Sequence, residues 1–356
     1  MFKKFTGDDD FPYKVELHVH LDGTIRPQTI FETAKRRGIQ LPTKTVAELH
    51  DYLLLKQTHD LERLLRSFRT FMPIVAGDRD AVYQMAYEFC ETCSKYNIKY
   101  AETRYSPHLM ANTFAKPYYA LETGSYSPRD VVTTVNEALV NGCRDFNVNV
   151  KSILCCYRDT PEWSLEVAEL CRDFKSDGVV GIDVAGPEHL CGKDSPHIMA
   201  YLDAERNGIH RTAHAGEVTP AETIYEALDD MHAERIGHGY SCINNPDLYS
   251  RVIGERIHLE TCPISSLLTG GAPNGKINHP ITRLAQDGVN FSISTDDPNV
   301  LDNNILDDYN VAMEMGLTRQ QIIQSIFNAA RSSFSTDKEK KTMLEELTKV
   351  YGDQSV

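Results

Sequence analysis

Two histidines near the N-terminus, His18 and His20, are the residues whose type and spacing most clearly suggest chemistry. They stand two positions apart in the run VELHVHLDG, whose pattern is typical of a β-strand. Because residues i and i+2 of a strand point to the same face, both imidazoles are expected to converge on one point. Two convergent imidazoles are half of the ligand set of a typical metal site.

Three later segments contain side chains that could complete such a site. TAHAGE contains His214 and Glu217, IGHGY contains His238, and STDDP contains Asp296 and Asp297. Three imidazoles and one carboxylate form a nitrogen and oxygen set that suits zinc without any cysteine. The predicted ligands are His18, His20, His214 and Asp296.

The remaining polar residues of these segments are predicted to act on a substrate. Glu217 lies three residues after His214, where a carboxyl group can exchange a proton with a substrate nitrogen. His238 can hold a water molecule at a metal for attack, and Asp297 can contact the substrate. The alternative is structural: Glu217 would be an acid at a helix N-terminus, and His238 an ordinary core histidine.

A fold must position these residues, and the chain alternates short β-rich runs with longer helical patterns. Eight strands are predicted: Lys14–His20, Ile98–Tyr105, Val148–Cys155, Gly178–Ala185, Ile209–His214, Arg235–Gly239, Arg256–Thr261 and Val289–Thr295. The clearest intervening helical patterns are Ala81–Tyr96, Asp130–Asn147, Pro161–Lys175, Pro220–Met231 and His279–Asp287. Eight such units favour an α/β fold, a (β/α)₈ barrel, as a single domain over residues 1–356.

Nearly every candidate side chain falls at the C-terminal end of a predicted strand. In strand order, these residues are His18 and His20, Glu102, Gly186, His214, His238, Glu260, and Asp296 with Asp297. The C-terminal ends of barrel strands form the rim on which active sites are built. Residues scattered along the chain are therefore expected to converge in space.

The connection after the first strand is unusually long and predicts extra helices between residues 24 and 70. Their helical patterns are Gln28–Arg37, Val46–Leu54 and Leu61–Phe71. At the rim of a barrel, such an insertion would form a lid. Four apolar residues at helical spacing either face a substrate there or pack as an ordinary helix core: Leu61, Leu64, Leu65 and Phe68. Further helices are predicted for residues 305–351.

Composition narrows the choice of partners. The formal net charge of −14 over 356 residues argues against nucleic acids and anionic membranes, because both would be repelled. No run approaches the roughly 18 apolar residues of a membrane span, and the N-terminal segment lacks the apolar region of a secretory signal. The nine cysteines have no framework spacing, which predicts reduced thiols in a cytoplasmic protein. Cys90 and Cys93 form a CxxC within a helical pattern and are predicted to be structural.

Eight motifs, in order along nearly the whole chain, resemble the adenosine deaminase family of the amidohydrolase superfamily. They are VELHVHLDGTIRP, RYSPHLMANT, IDVAGPE, TAHAGE, RIGHGY, TCPISSLLTG, STDDPNV and NAARSSF. The HxH pair alone is shared by many metallohydrolases, whereas the ordered set is specific. The resemblance implies hydrolytic deamination of adenosine and 2′-deoxyadenosine to inosine and 2′-deoxyinosine, with one Zn²⁺ per chain.

The resemblance also implies a role for each remaining residue of the site. Glu217 would protonate purine N1, His238 would orient the attacking water and help take its proton, and Asp297 would contact N7. The backbone N–H of Gly186 would face purine N3. The nucleoside would be the only expected small-molecule partner of a monomeric chain.

The ribose end of the site is implied in the same way. Asp22 and His20 would face the ribose hydroxyl groups, and Leu61 and Phe68 would belong to the apolar lid. The sequence departs from the family pattern at Pro187, which follows Gly186 in place of an acidic residue, and at Ile264, which replaces an aromatic residue. These departures leave the geometry of that loop and of the pocket edge open.

Three other functions stay open at this point. Another purine aminohydrolase would act on adenine, 5′-methylthioadenosine or N6-substituted AMP, although Asp22 disfavours a 5′-phosphate. A metal-dependent ester or phosphoester hydrolase commonly uses a lysine on the fourth strand, and VAG at 184–186 offers none. A catalytically inactive binding protein would lack a ligand or Glu217, and all are present. The sequence does not rank adenosine against 2′-deoxyadenosine.

Overall fold

Eight parallel strands form one nearly closed barrel in the computed structural model, which describes residues 10–55, 61–114, 116, 118–272 and 275–354. The strands are β1 Lys14–His20, β2 Ile98–Tyr105, β3 Asn149–Tyr157, β4 Val179–Ala185, β5 His210–Ala215, β6 Arg235–His238, β7 His258–Thr261 and β8 Phe291–Ile293. Each strand pairs with the next in chain order. The predicted (β/α)₈ barrel is confirmed, and the predicted strand ends differ from the observed ones by at most two residues.

The seam between the first and last strands is closed by residues beyond the end of β8. Val19 forms a bridge with Asp296. The N–H of His20 donates to the Asp296 carbonyl at 2.8 Å, and the N–H of Asp296 donates to the His18 carbonyl at 3.1 Å. The Ser294 hydroxyl accepts the N–H of His18 at 3.1 Å. The segments that close the barrel are therefore the segments that carry candidate ligands.

Helices connect consecutive strands and cover the barrel. Their bounds are α1 Pro27–Arg37, α2 Val46–Leu53, α3 Leu61–Val75, α4 Arg79–Lys95, α5 Pro107–Met110, α6 Pro128–Phe146, α7 Ser164–Asp173, α8 Pro196–Arg206, α9 Glu222–Asp229, α10 Pro246–Gly254, α11 Pro263–Thr269, α12 Pro280–Gln286, α13 Pro298–Leu301, α14 Ile305–Glu314, α15 Arg319–Ser332 and α16 Asp337–Tyr351. Those after β1 and after β8 confirm the predicted extra helices. In the described ranges, none is long and apolar enough to cross a membrane.

Local signals in the sequence explain where the two longest of these helices begin and end. In α6, the Ser127 hydroxyl accepts the N–H of Asp130, whose carboxylate accepts the N–H of Ser127 in return. This capping box satisfies two backbone groups that a helix start leaves unpaired. Asn147 ends α6 in the left-handed conformation. At the start of α4, the Asp78 carboxylate accepts the N–H of Ala81 at 2.9 Å. α4 and α6 pack side by side over β2 and β3.

The barrel interior holds a layer of buried charge. The Arg235 guanidinium of β6 lies 2.7 Å from the Glu102 carboxylate of β2 and donates to the Glu260 carboxylate of β7 at 2.7 Å. Its face also stacks on the Phe334 ring, 3.6 Å from the centroid. All three charged side chains are almost fully buried. The pairing is needed because an unpaired charge in such surroundings costs several kcal/mol.

Glu102 belongs to this inner layer, so its predicted place on the rim is wrong. It pairs in register with Lys151 near the beginning of β3, and its carboxylate accepts the N–H of Phe334. β2 continues for three residues beyond Glu102, to Tyr105. A charged residue in the middle of a strand therefore lies inside the barrel rather than at its mouth.

Replacing Arg235 with Met is expected to lower the free energy of unfolding by about 3–5 kcal/mol, because two buried carboxylates lose their partner. Arg79→Met is the matched control, since Arg79 pairs with Glu137 on the surface with both side chains at least half exposed. The control is expected to lose at most about 1 kcal/mol. Urea denaturation of both variants measures the difference, and equal losses would contradict the role given to the buried layer.

Candidate metal centre and substrate pocket

A cavity opens at the C-terminal ends of the strands, beneath α3. Ten predicted site residues line it: His20, Asp22, Leu61, Phe68, Gly186, His214, Glu217, His238, Asp296 and Asp297. The remaining predicted residue, His18, is fully buried next to His214, with 4.6 Å between the ring centroids. The structure thus brings together every residue that was predicted for the site.

The predicted ligands converge around the Asp296 carboxylate. Its Oδ1 lies 3.3 Å from Nε2 of His18 and 3.4 Å from Nε2 of His20. Nε2 of His20 and Nε2 of His214 are 3.1 Å apart. A second combination is also compact, because ligand atoms of His18, His214, His238 and Asp296 all lie within 4.8 Å of one another. The structure therefore adds His238 to the groups that could hold a metal ion here.

The other nitrogen of two of these imidazoles is held by a buried carboxylate. Nδ1 of His18 lies 2.7 Å from Glu260, and Nδ1 of His214 lies 3.0 Å from Asp183. Arg104 donates to both carboxylates, at 3.0 Å to Asp183 and 2.7 Å to Glu260. Carboxylates that bind Nδ1 leave Nε2 as the lone-pair nitrogen, which is the usual support of a metal-binding histidine. Within the described chain, the buried Nε2 of His18 has no hydrogen-bond partner.

The protonation states also suit a cation. Burial alone would raise the pKa of Asp183 and of Glu260, but nearby positive charge, above all His214 and Arg104 respectively, holds both pKa values below their usual range. Burial lowers the pKa of His20 well below its usual value. Ionised carboxylates hold the Nδ1 proton of the histidines they support, and a neutral imidazole is the form that binds a metal ion.

The backbone at the site is tightly constrained. Asp296 and His238 adopt positive φ angles of 67° and 64°, which are uncommon for residues other than glycine. Such strained positions concentrate at functional sites. Gly23 lies so close to Asp297 that a Cβ there would be 2.1 Å from its Oδ1. This close approach explains the glycine of the HLDG motif.

Two carboxyl groups face the cavity in surroundings that favour their protonated form. Burial raises the pKa of Glu217, and burial together with the Asp296 charge raises the pKa of Asp297 well above its usual value. Oε2 of Glu217 lies 3.6 Å from Nε2 of His238, and its Oε1 accepts the Thr269 hydroxyl at 2.9 Å. Both carboxyls are therefore placed to donate a proton to a ligand in the cavity.

The opposite wall is apolar and comes from the insertion after β1. Leu61, Leu64, Leu65 and Phe68 of α3 all line the cavity, so these four residues face the site. Leu64 and Phe68 also belong to the hydrophobic core, so the two predicted roles hold together. Asp22 lies at this end, where burial raises its pKa to about 7. Tyr119, which the sequence reasoning missed, completes the wall. The cavity therefore joins a polar floor to an apolar roof.

The loop that carries Pro187 holds the loop that carries Glu217. The Glu188 carboxylate accepts the N–H groups of Glu217 and Val218, at 3.3 and 2.8 Å. Pro187 therefore lies in a loop that positions the loop of Glu217, although the sequence departs from the family pattern at residue 187. The other departure, Ile264, donates its N–H to the buried Asp308 carboxylate.

Sequence reasoning also missed the residues that support the ligands. Arg104 of β2 and Asp183 of β4 are charged residues inside largely buried strands, and both are fully buried. Such placement is itself a signal, because a charge in a buried strand requires a partner. Arg104 stands two residues after Glu102, so both side chains point to the same face of β2.

Comparison with known proteins agrees with this geometry. A family model described as adenosine deaminase matches residues 13–350, nearly the whole chain. The chain belongs to the adenosine deaminase family. Similar members include the adenosine deaminases of Gallus gallus, 46% identical over 95% of each chain, and of Xenopus tropicalis, 44% identical over 95% of this chain and 96% of the other.

A solved structure extends the likeness to the fold. The adenine deaminase of Arthrobacter aurescens is 26% identical, has a TM-score of 0.82, and is matched over 94% of this chain and 98% of its own. Family membership confirms the resemblance that the eight motifs indicated. The relatives compared with this chain are named as adenosine deaminases and, for the solved structure, an adenine deaminase.

Asp183→Asn is expected to weaken the affinity for a divalent metal ion by about 10–100-fold, because His214 loses the carboxylate that orients it. Competition with a chromophoric chelator measures this affinity. Asp308→Asn is the matched control, since Asp308 is equally buried but accepts hydrogen bonds from Ile264 and Asn303 instead. Equal affinity in both variants and in the unaltered protein would show that Asp183 does not support the site.

Proposed function

We propose that this member of the adenosine deaminase family binds one Zn²⁺ ion and deaminates adenosine and 2′-deoxyadenosine. The products are inosine or 2′-deoxyinosine and ammonia. The observation that carries the proposal is a single cavity in which a cluster of histidine and aspartate ligands, two proton-donating carboxyls and an apolar wall face one another. Deamination of a purine nucleoside requires these three elements together.

The donor set fits zinc. We assign His18, His20, His214 and Asp296 as the ligands, supported by the carboxylates at Nδ1 of His18 and His214. Nitrogen and carboxylate oxygen ligands in a compact group are typical of a catalytic zinc site. When bound, zinc lowers the pKa of water towards neutrality and so supplies a hydroxide nucleophile.

His238 is placed to accept a proton from the attacking water. Its Nε2 lies between two carboxylates, 3.6 Å from Glu217 and 3.9 Å from Asp296. This nitrogen can accept a proton when its imidazole is neutral. We therefore assign to His238 the orientation of the water and the removal of its proton.

Glu217 and Asp297 act on the purine ring. Attack at C6 destroys the aromaticity of the ring, so a proton supplied to N1 stabilises the product of attack. We assign this proton to Glu217, because burial raises its pKa and so favours its protonated form. Asp297, also with a raised pKa, donates to N7. Loss of the C6 amino group as ammonia then restores the aromatic ring.

The ribose end of the cavity selects a nucleoside. We assign Asp22 and His20 to the ribose hydroxyl groups, the N–H of Gly186 to purine N3, and Leu61 and Phe68 to the apolar cover. No Lys or Arg stands among the described residues that line the cavity. A 5′-phosphate would therefore lie beside Asp22 without a counter-charge, which favours a free 5′-hydroxyl group.

We further propose that the chain works as one domain, as a monomer, in the cytoplasm. The residues assigned to the site lie together within one chain, which supports a monomer. The unpaired, mostly buried cysteines suit a reducing compartment. Light scattering after size exclusion tests the monomer, and a mass of twice 40.2 kDa would contradict it.

Glu217→Gln is expected to lower kcat for adenosine by at least about 10²-fold, because the amide cannot supply the proton for N1. Zinc should remain bound, since Glu217 is not an assigned ligand. Asp296→Ala should lose both zinc and activity. Steady-state kinetics and metal analysis of each purified variant provide the measurements.

Glu222→Gln is the control for this pair, because Glu222 lies exposed on the same side of the protein in α9. Its kcat and zinc content should match those of the unaltered enzyme. A Glu217→Gln enzyme that works at full rate would remove Glu217 from the mechanism.

A substrate panel tests the substrate class directly. Adenosine and 2′-deoxyadenosine should lose the ultraviolet absorbance of the adenine ring, while AMP should not react because the cavity offers its phosphate no positive side chain. Adenine should react slowly, since it leaves the ribose contacts of Asp22 unused. Faster turnover of adenine or AMP than of adenosine would overturn the assignment.

A further inference from the structure

One aromatic residue of the cavity wall, Tyr157, has no role in the proposed reaction. It is the last residue of β3, pairs in register with Ala185 at the end of β4, and lines the cavity. The N–H of the next residue, Arg158, donates to the Ala185 carbonyl at 2.9 Å. Only 8% of Tyr157 is exposed. Its backbone is therefore fixed at the rim of the barrel, and its ring is enclosed beside the site.

The ring of Tyr157 lies directly against Gly186. A Cβ on Gly186 would be 2.6 Å from Cε2 and 2.9 Å from Cδ2 of Tyr157, closer than side chains pack. Gly186 also has a φ angle of 104°, which residues with a side chain rarely adopt. The aromatic ring therefore occupies the space that a side chain at residue 186 would take.

Other aromatic rings hold the Tyr157 ring in this place. The Tyr118 ring meets it edge to face, with 5.5 Å between the centroids and 73° between the planes. Tyr118 in turn contacts Trp163 in the same way, at 6.0 Å and 76°. Edge-to-face contacts at these distances are favourable for aromatic pairs. The Tyr157 ring is thus packed between Gly186 and Tyr118, so it cannot move aside freely for a ligand.

The contact with Gly186 indicates which part of a purine the ring meets. Under the proposed function, the N–H of Gly186 faces N3 and Glu217 faces N1. The purine atom C2 is bonded to both nitrogens, so it lies between these two residues. They are also linked within the protein, because the Glu188 carboxylate, two residues after Gly186, accepts the N–H of Glu217 at 3.3 Å. A ring that lines the cavity beside Gly186 therefore borders the C2 edge of the base.

We propose that Tyr157 is a specificity-determining residue that restricts the site to purine nucleosides with hydrogen at C2. This inference rests on the proposed function and deepens it, because it names the substituent that the site rejects. A larger group at C2 would meet a ring that is held from behind, so the base would have to tilt. Tilting would move C6 and N1 away from the groups that act on them, and catalysis is sensitive to displacements of this kind.

The test compares kcat/KM for 2-chloroadenosine with kcat/KM for adenosine, measured as ammonia released by the zinc-loaded full-length protein. The unaltered protein should prefer adenosine. In Tyr157→Val, which keeps a strand-forming residue, the ratio of 2-chloroadenosine to adenosine should rise at least about 10-fold, the usual effect of a group of this size in a closed pocket. With 2-fluoroadenosine, whose substituent is smaller but also withdraws electrons, the rise should be smaller. A purely structural role of Tyr157 would lower all three kcat/KM values together.

Two control variants separate the ring from its surroundings. Tyr157→Phe keeps the ring and removes the hydroxyl group, so its ratio should equal that of the unaltered protein. Tyr119→Val is the matched control, since Tyr119 also lines the cavity and also contacts Tyr118, with 4.8 Å between the ring centroids. The three atoms nearest to a Cβ on Gly186 all belong to Tyr157. Tyr119→Val should therefore leave the ratio within about twofold, whatever it does to adenosine turnover.

The outcomes distinguish this inference from the proposed function. A protein that deaminates adenosine, but whose ratio is the same with and without the Tyr157 ring, would overturn the inference alone. So would an unaltered protein that accepts 2-chloroadenosine as well as adenosine. A protein that releases no ammonia from adenosine would overturn both. If Tyr157→Val does not fold, Tyr118→Ala removes only the support of the ring, and its ratio should rise in the same direction; an unchanged ratio there would contradict the inference.

Discussion

The barrel interior and the candidate metal centre both depend on one buried interaction, the contact of Arg104 with the carboxylates of Asp183 and Glu260. Burying three charges is costly, and the cost is offset only when the geometry is tight and the remaining lone pairs are used. Here those lone pairs are used by the imidazoles of His18 and His214. The same contact thus neutralises the barrel interior and fixes the direction in which two ligands point. Fold and site share this network, and neither can be altered alone.

The upper part of the cavity depends on a different constraint, which is the exclusion of water. The insertion after β1 places α3 over the cavity, and its leucines and phenylalanine cover carboxyls that would be fully ionised in water. Burial beneath this cover is the main reason for the raised pKa of Glu217, Asp297 and Asp22. The lid therefore does more than enclose a ligand. It contributes to the burial that raises the pKa of the carboxyl groups in the cavity.

The sequence predicted the barrel and the site well, for physical reasons. Strand and helix periodicity located the eight units, and the rule that active sites lie at the C-terminal rim brought His18 and Asp296 together across nearly the whole chain. The sequence pattern could not show that Arg104 and Asp183 support the site. Such a pattern shows which residues share a face of a strand, but it does not show which residues of other strands their charges pair with. Glu102 was misplaced although the predicted strand already ran three residues beyond it, to Tyr105, so its middle position was readable from the sequence.

The seam of the barrel has a consequence for stability. β8 is short, and the first and last strands are joined mainly through the backbone of His18, His20 and Asp296. A metal ion bound by the side chains of these same residues would link the first and last strands across the seam. It would bind the folded chain and not the unfolded one. The apparent melting temperature then becomes a function of free metal concentration, by mass action. The supply of metal ions and their chelation would therefore govern the stability of the fold as well as the rate of the reaction.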